Sequence, residues 1–229
     1  MIYFRLFLQQ KENYFEKLEN NLLFKSINKN DLPLLLKCLQ ANKITYQKDQ
    51  TIIHQGQSIN EIGILLSGKA HIINDDYWGN QTIIKEIDIG ELFGEAYAFL
   101  PKQNTMISIV AKEKCEILYL NISKIIFSCN KNCHYHHLFI QNLLIATSQK
   151  NIMLTQKINH ITKRTTREKI LAYLSDLSKI HNSNAFNIPF NRQQLANYLA
   201  VDRSALSFEL SKMQKEGIIR YKKNYFELL

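Results

Sequence analysis

The sequence predicts an α+β chain in three parts: a β-rich front, one long helix, and a compact helical end closed by a β-hairpin. Three observations carry this. Between residues 43 and 120, short β-prone runs recur about every dozen residues, with glycines between or beside them. From 134 to 162 there is neither Gly nor Pro, and apolar residues repeat in heptads. Past Arg164 come three shorter helical runs and then two strands around Lys222-Lys223-Asn224.

Composition sets the frame. A chain of 229 residues makes one large domain or two ordinary ones, and 45% hydrophobic with 21% charged residues is a globular balance. Four cysteines do not make a disulfide framework. No apolar run approaches the roughly 20 residues that span a bilayer. The apolar start around Arg5 is short and lacks a small-residue cleavage site. The expectation is a cytoplasmic protein with no membrane partner. The net charge is +9, unevenly spread: from Lys157 onward, 13 Lys and Arg face 6 Asp and Glu, a net of +7. A basic back end suggests a polyanion partner, with a merely solvated basic surface as the alternative.

The strands fall at 51–54, 62–66, 70–73, 82–87, 106–111 and 115–120, punctuated by Gly56, Gly68, Gly79 and Gly90. Regular strands with turn residues between them argue an antiparallel sandwich or barrel. Tyr77-Trp78-Gly79-Asn80 reads as a hairpin tip. On the long helix, Ile140, Leu144, Thr147, Asn151, Leu154, Ile158 and Ile161 step by 4 and 3 in alternation, a heptad seam. A second stripe, Leu138, Ile145 and Ile152, lies on another face. Two apolar faces imply two clients: one stripe packs on the β domain, and the seam meets the same helix in a twin subunit. Polar Thr147 and Asn151 suit a contact that sets register. The alternative is a helix buried within its own domain.

The run 167–179 carries Ile170, Leu171, Leu174 and Leu177 at helical spacing. Asn191 and Asp202 are good N-caps for the next two runs, and only Leu199-Ala200-Val201 separates them. A helix, a tight turn and a second capped helix make a helix-turn-helix. Gly217 ends the third run, and 218–221 pairs with 225–228 as a basic wing.

At this point the chain resembles a known family. NRQQLANYLAVDRSALSFELSKMQKEGII is similar to the winged helix-turn-helix of the Crp/Fnr family of bacterial transcription regulators. ITYQKDQTIIHQG, IGILLSGKAHII and IGELFGE resemble its glycine-punctuated β-roll, the cyclic-nucleotide-binding-like domain. The resemblance implies a double-stranded β-helix (a jelly-roll-like β-roll) as sensor, a long dimerisation helix and a C-terminal winged helix-turn-helix. The expected divisions are a lead-in at 1–20, the β-roll at 21–130, the dimerisation helix at 131–163 and the DNA-binding domain at 164–229. The implied partners are double-stranded DNA, a second copy of the chain and RNA polymerase, with control transmitted through the long helix and a hinge at Lys163-Arg164-Thr165.

The second helix of a helix-turn-helix enters the major groove with its first turns facing base edges. Those turns present Arg203, Ser204 and Ser207, after Asp202. Arg203 is suited to two parallel hydrogen bonds to guanine; the serines specify less. Phe208 stands where family members often have a basic residue; it touches a thymine methyl or packs inward. Asn191, Arg192 and Gln193 open the first helix, where phosphate is commonly held. Lys222 and Lys223 add charge on the wing.

In family members that bind cyclic AMP, a Gly-Glu pair is followed about ten residues later by an Arg-Ser pair that neutralises the cyclic phosphate. Here Gly94 and Glu95 are kept, and Thr105 and Met106 stand at the matching positions. A buried phosphate without its cation keeps most of its desolvation cost. Cyclic AMP is therefore not the expected effector. Gly94 and Glu95 then serve a tight turn and its cap. Tyr97, Phe99, Leu100 and Met106 make the loop apolar, which leaves an unknown small-molecule effector, or none. Lys102 falls at a loop tip.

The run 129–137 holds Cys129, Cys133 and three histidines beginning at His134. Thiolate and imidazole bind zinc and related metals, and two such cysteines can form a redox disulfide. Without a second cysteine pair, no metal or other cofactor is expected, and these three are weak candidates for a metal or redox sensor. Residues 1–30 lack the N-terminal cysteines of the oxygen-sensing branch. His54 and His71 are lone strand histidines, usually structural. No nucleotide-hydrolase glycine loop, nucleophile elbow or HExxH occurs, so no enzyme is expected.

Overall fold

The computed structural model describes residue 18 and residues 20–76, 78, 81–100, 102–127 and 134–229. The expected lead-in (residues 18 and 20 apart), the hairpin tip except Trp78, and the Cys129–Cys133 pair lie outside these residues. The chain divides into two compact units between Ala146 and Thr147.

Among the described residues, the first unit is a jelly-roll of eight strands. In chain order they are β1 (Asn42–Tyr46), β2 (Thr51–Ile53), β3 (Glu61–Ser67), β4 (Ala70–Asp75), β5 (Gln81–Ile87), β6 (Leu92–Phe93), β7 (Ser108–Ala111) and β8 (Cys115–Asn121). They form two sheets, β1-β8-β3-β6 and β2-β7-β4-β5, every pairing antiparallel. Strands alternate their side chains between faces. Along β3, Ile62, Ile64 and Leu66 therefore meet the helices, while Leu65 joins Ile109, Ala111 and Ile117 between the sheets. Burial on both faces is why this stretch is continuously apolar. Gly68 turns β3 into β4 at φ +85°, and a Cβ there would lie 2.4 Å from the Lys114 carbonyl oxygen, so only glycine fits.

Helix α1 (Leu32–Cys38) starts with Pro33 in its first turn and buries Leu32, Leu35 and Leu36. Two short helices follow, α2 (Glu95–Ala98) and α3 (Ile122–Ile126). The long helix α4 spans His134–Ile161. Its packed face corrects the sequence expectation. Phe139 and Leu143 enter the β-roll core, and the Asn142 amide donates to the carbonyls of Leu23 and Lys25 at 3.1 and 2.8 Å. The Leu138–Ile145–Ile152 stripe is not the packed one: Ile145 is 46% and Ile152 59% exposed. Two polar residues, buried His136 and Asn142, lie within the packed stripe and broke its apolar signal.

In the second unit, α5 (Thr166–His181) opens with a capping box between Thr165 and Glu168. Then come β9 (Ala185–Asn187), α6 (Arg192–Leu199), α7 (Arg203–Lys215), β10 (Ile219–Lys222) and β11 (Tyr225–Leu228). The sheet order is β10-β11-β9, so the wing hairpin carries a third strand. Leu174, Leu195, Leu206, Leu210, Met213 and Phe226 fill the core.

Candidate nucleic-acid interface and sensor pocket

The helix-turn-helix is built by local chemistry. Asn191 accepts from the Gln194 N–H at 2.9 Å, and Gln194 returns a bond to the Asn191 N–H at 2.8 Å. This capping box satisfies two orphan donors of α6. Ala200 ends the helix in the left-handed region at φ +50°. Lys169 on α5 donates to the Ala200 carbonyl at 3.2 Å, and Arg167 pairs with Glu209 at 3.1 Å and with Glu216. These contacts fix the turn and α7 against α5. Asp202 occupies the N-cap position of α7 with extended backbone, but its side chain makes no capping bond there, contrary to expectation.

Helix α7 buries Leu206, Leu210 and Met213. Arg203, Ser204, Phe208, Ser211, Lys212 and Lys215 are exposed, and Ser207 is half-buried. Phe208 does not pack inward; it is 71% exposed. Asn191 and Gln193 are exposed at the start of α6, where Gln193 donates to Asn197 at 2.9 Å. Arg192 is committed to the wing: its guanidinium lies 5.0 Å from the Tyr221 ring centre and 5.9 Å from that of Phe226. Burial there lowers its pKa. Lys222 is exposed at the end of β10, and Lys223 takes φ +54° in the turn.

A buried cluster absent from the sequence reading anchors the end of α4. His160 is 3% exposed. Its Nε2 lies 3.0 Å from the Asp176 carboxylate and its Nδ1 3.1 Å from the Tyr198 hydroxyl. Burial raises the Tyr198 phenol pKa. Burial opposes charge on Asp176, but hydrogen bonds from His160 and Lys179 outweigh it and hold the carboxyl below its usual range. The only sequence signal was a histidine at the close of a long helix. On the seam, Leu144, Asn151, Leu154 and Ile158 are exposed. Thr147 and Ile161 are half-buried, and so is Ile140, which packs partly on the β-roll core.

In the sensor, Gly94 caps α2 at φ +82°, where a Cβ would press on Ile59 at 3.2 Å. Glu95 is buried and Tyr97 half-buried. Thr105 is buried, and its hydroxyl donates to the His54 carbonyl at 2.7 Å. Its N–H donates to the Gln57 carbonyl at 2.9 Å, and its carbonyl accepts from Gly56 at 2.7 Å. This residue stitches the loop to the 54–57 turn. Met106 faces outward, 65% exposed, and lies before β7 rather than within it. Lys102 is exposed at φ +67°. His71 is bound to Glu86 at 3.2 Å, beside Lys69 and Lys112. His134 is exposed, and among the described residues no group of three or more His, Cys, Asp or Glu is placed to hold a metal. No helix among the described residues is long and apolar enough to cross a membrane.

Comparison with known proteins adds to this geometry. Residues 43–132 match the cyclic nucleotide-binding domain, and residues 168–229 match the Crp-like helix-turn-helix domain. The anaerobic regulatory protein of Haemophilus influenzae is 23% identical over 211 residues, 89% of this chain and 78% of that one. The cAMP-activated global transcriptional regulator CRP of Escherichia coli is 18% identical over 180 residues, 76% of this chain and 83% of that one. The structure of the catabolite activator protein of Thermus thermophilus aligns with a TM-score of 0.53 at 20% identity, covering 91% and 94% of the two chains. A jelly-roll matching the cyclic nucleotide-binding domain and a winged helix-turn-helix on one chain define a DNA-binding transcriptional regulator. The chain belongs to the Crp/Fnr family.

Proposed function

We propose that this regulator binds a two-fold symmetric DNA site as a homodimer, through α7 and the wing, and that its β-roll does not respond to cyclic AMP. The observation that carries the sensor reading is Thr105. It stands where a cyclic phosphate needs a cation, and its hydroxyl is spent on the His54 carbonyl. Met106 beside it points away. The run 94–108 contains no arginine. A buried phosphate left without a charged partner pays its desolvation uncompensated. The effector is either another small molecule or none, and no cofactor is required.

The dimer reading rests on α4, where Leu144, Leu154 and Ile158 are all more than half exposed at heptad spacing. Paired across a two-fold axis, these residues bury each other and set the separation of the two α7 helices, which must match half-sites about 34 Å apart. Arg203 reads a guanine; Asn191, Gln193 and Lys222 hold phosphates; Arg192 braces the wing that presents Lys222. RNA polymerase is the partner through which bound protein acts. Cys129, Cys133 and His134 carry no metal or redox role in this reading.

Two measurements test this. Sedimentation of the pure chain gives a dimer. Thermal melting with 1 mM cyclic AMP leaves the transition where it was, whereas a ligand binding at micromolar Kd would stabilise the fold by about 4 kcal/mol. An upward shift with cyclic AMP overturns the sensor reading and leaves the DNA reading standing.

A further inference from the structure

Phe208 is the most exposed large apolar side chain of residues 147–229, at 71%. The unit has no shortage of aromatic packing. Tyr173, Phe186, Phe190, Tyr198, Tyr221 and Phe226 all sit in ring contacts. Helical register explains why Phe208 does not join them. Helix α7 buries Leu206 and Leu210, and Phe208 lies midway between them, turned to the opposite side. On that side its neighbours at i−4 and i+3 are Ser204 and Ser211. Both are small, so the ring stands proud of the face.

Ser211 on this face already donates to the Ser207 carbonyl at 2.9 Å. Ser204 and, one turn on, exposed Lys212 remain as its donors, while Arg203 projects about 140° round the helix from Phe208. The apolar feature that B-DNA offers in its major groove is the thymine C5-methyl. Phe208 lies five residues from Arg203, about 7.5 Å along the helix axis, which is about two base-pair steps.

We propose that Phe208 is a specificity-determining residue that reads a thymine methyl, so that each half-site carries a T·A pair about two base pairs from the guanine held by Arg203. This rests on the reading of α7 as the recognition helix. Discrimination by this contact is steric and apolar: cytosine at the same position presents no methyl and an amino group that Phe208 cannot satisfy.

The test uses the full chain and the duplex it selects from random DNA. Each thymine is replaced in turn, symmetrically, by deoxyuridine, which removes only the methyl. Affinity is measured for the wild type, F208A, F208L and R203A. At one position per half-site, the wild type loses about fourfold per site, or about fifteenfold for both. F208A is weakened on the thymine duplex and indifferent to the swap; F208L keeps part of the dependence. Equal melting temperatures for the variants exclude misfolding, since Phe208 is surface-exposed. The proposal is overturned if F208A binds like the wild type, as it would were this ring a protein contact, or if both respond alike to every deoxyuridine. If R203A still relaxes a selected motif, that failure rejects the role of Phe208 alone. If the wild type selects no motif and R203A changes nothing, the reading of α7 itself falls.

Discussion

The two compact units have kept different things. The β-roll keeps its frame: Gly68 and Gly94 turn the chain where a side chain cannot, and the two sheets close over Leu65, Ile109 and Ile117. In the proposed reading it lacks the cation for a cyclic phosphate, with Thr105 tied to backbone in that place. The DNA-binding unit keeps its frame and, in the proposed reading, its chemistry. Its capping box, its buried α7 face and an exposed Arg203 are all present. Its own departure is Phe208. The lesson is that a fold is held by interior packing and turn geometry, while ligand choice rests on a few side chains that the frame does not need.

The comparison can be broken or sharpened by substitution. The largest effect is expected on α4. Leu154→Glu puts a charge into the apolar seam and should weaken the dimer at least ~100-fold, read by sedimentation equilibrium. A dimer of unchanged strength would remove the seam from the account. Next, Arg203→Ala should cost ~1–3 kcal/mol of binding and relax preference at one base position. Uniform weakening on all sequences would make Arg203 a phosphate contact. Third, His160→Ala leaves Asp176 and Tyr198 short of their buried partner and should destabilise the DNA-binding unit by ~1–3 kcal/mol, read by hydrogen exchange in α5 and α6.

The smallest effect belongs to the β-roll surface. Lys69, His71 and Lys112 surround Glu86. The Lys69 hydrogen bond is the main cause holding its carboxyl down to about 2, from an ordinary 4.5. Because the folded pKa is the lower one, its contribution is complete above pH 4.5 and fades as pH falls toward 2. Solvent screens this network, so about 1 kcal/mol is expected. Glu86→Gln should flatten the acid loss of β-roll stability within that window and leave neutral DNA binding unchanged.

Much of this was legible in sequence, for physical reasons. Heptad spacing put a long helix within 131–163, and the described helix, His134–Ile161, lies inside that range. Asn191 was recognisable as a cap because its side chain competes for backbone N–H groups. The strands that escaped were β1, which is mostly exposed, and β6 and β9, of two and three residues; none had room to show alternation. The packed face of α4 was misassigned because Asn142 sits within it, bound to the Leu23 and Lys25 carbonyls. The Thr105–Met106 exchange was visible by resemblance, but the bond that occupies Thr105 was not. The His160 cluster joins residues 16 and 38 positions apart, which no local pattern reveals.

The most direct test is a selection of bound sequences from random duplex DNA by the full chain, run with and without cyclic AMP. The account predicts the same two-fold symmetric motif in both, with half-sites one helical turn apart. A motif that emerges only with cyclic AMP, or no motif in either, would contradict it.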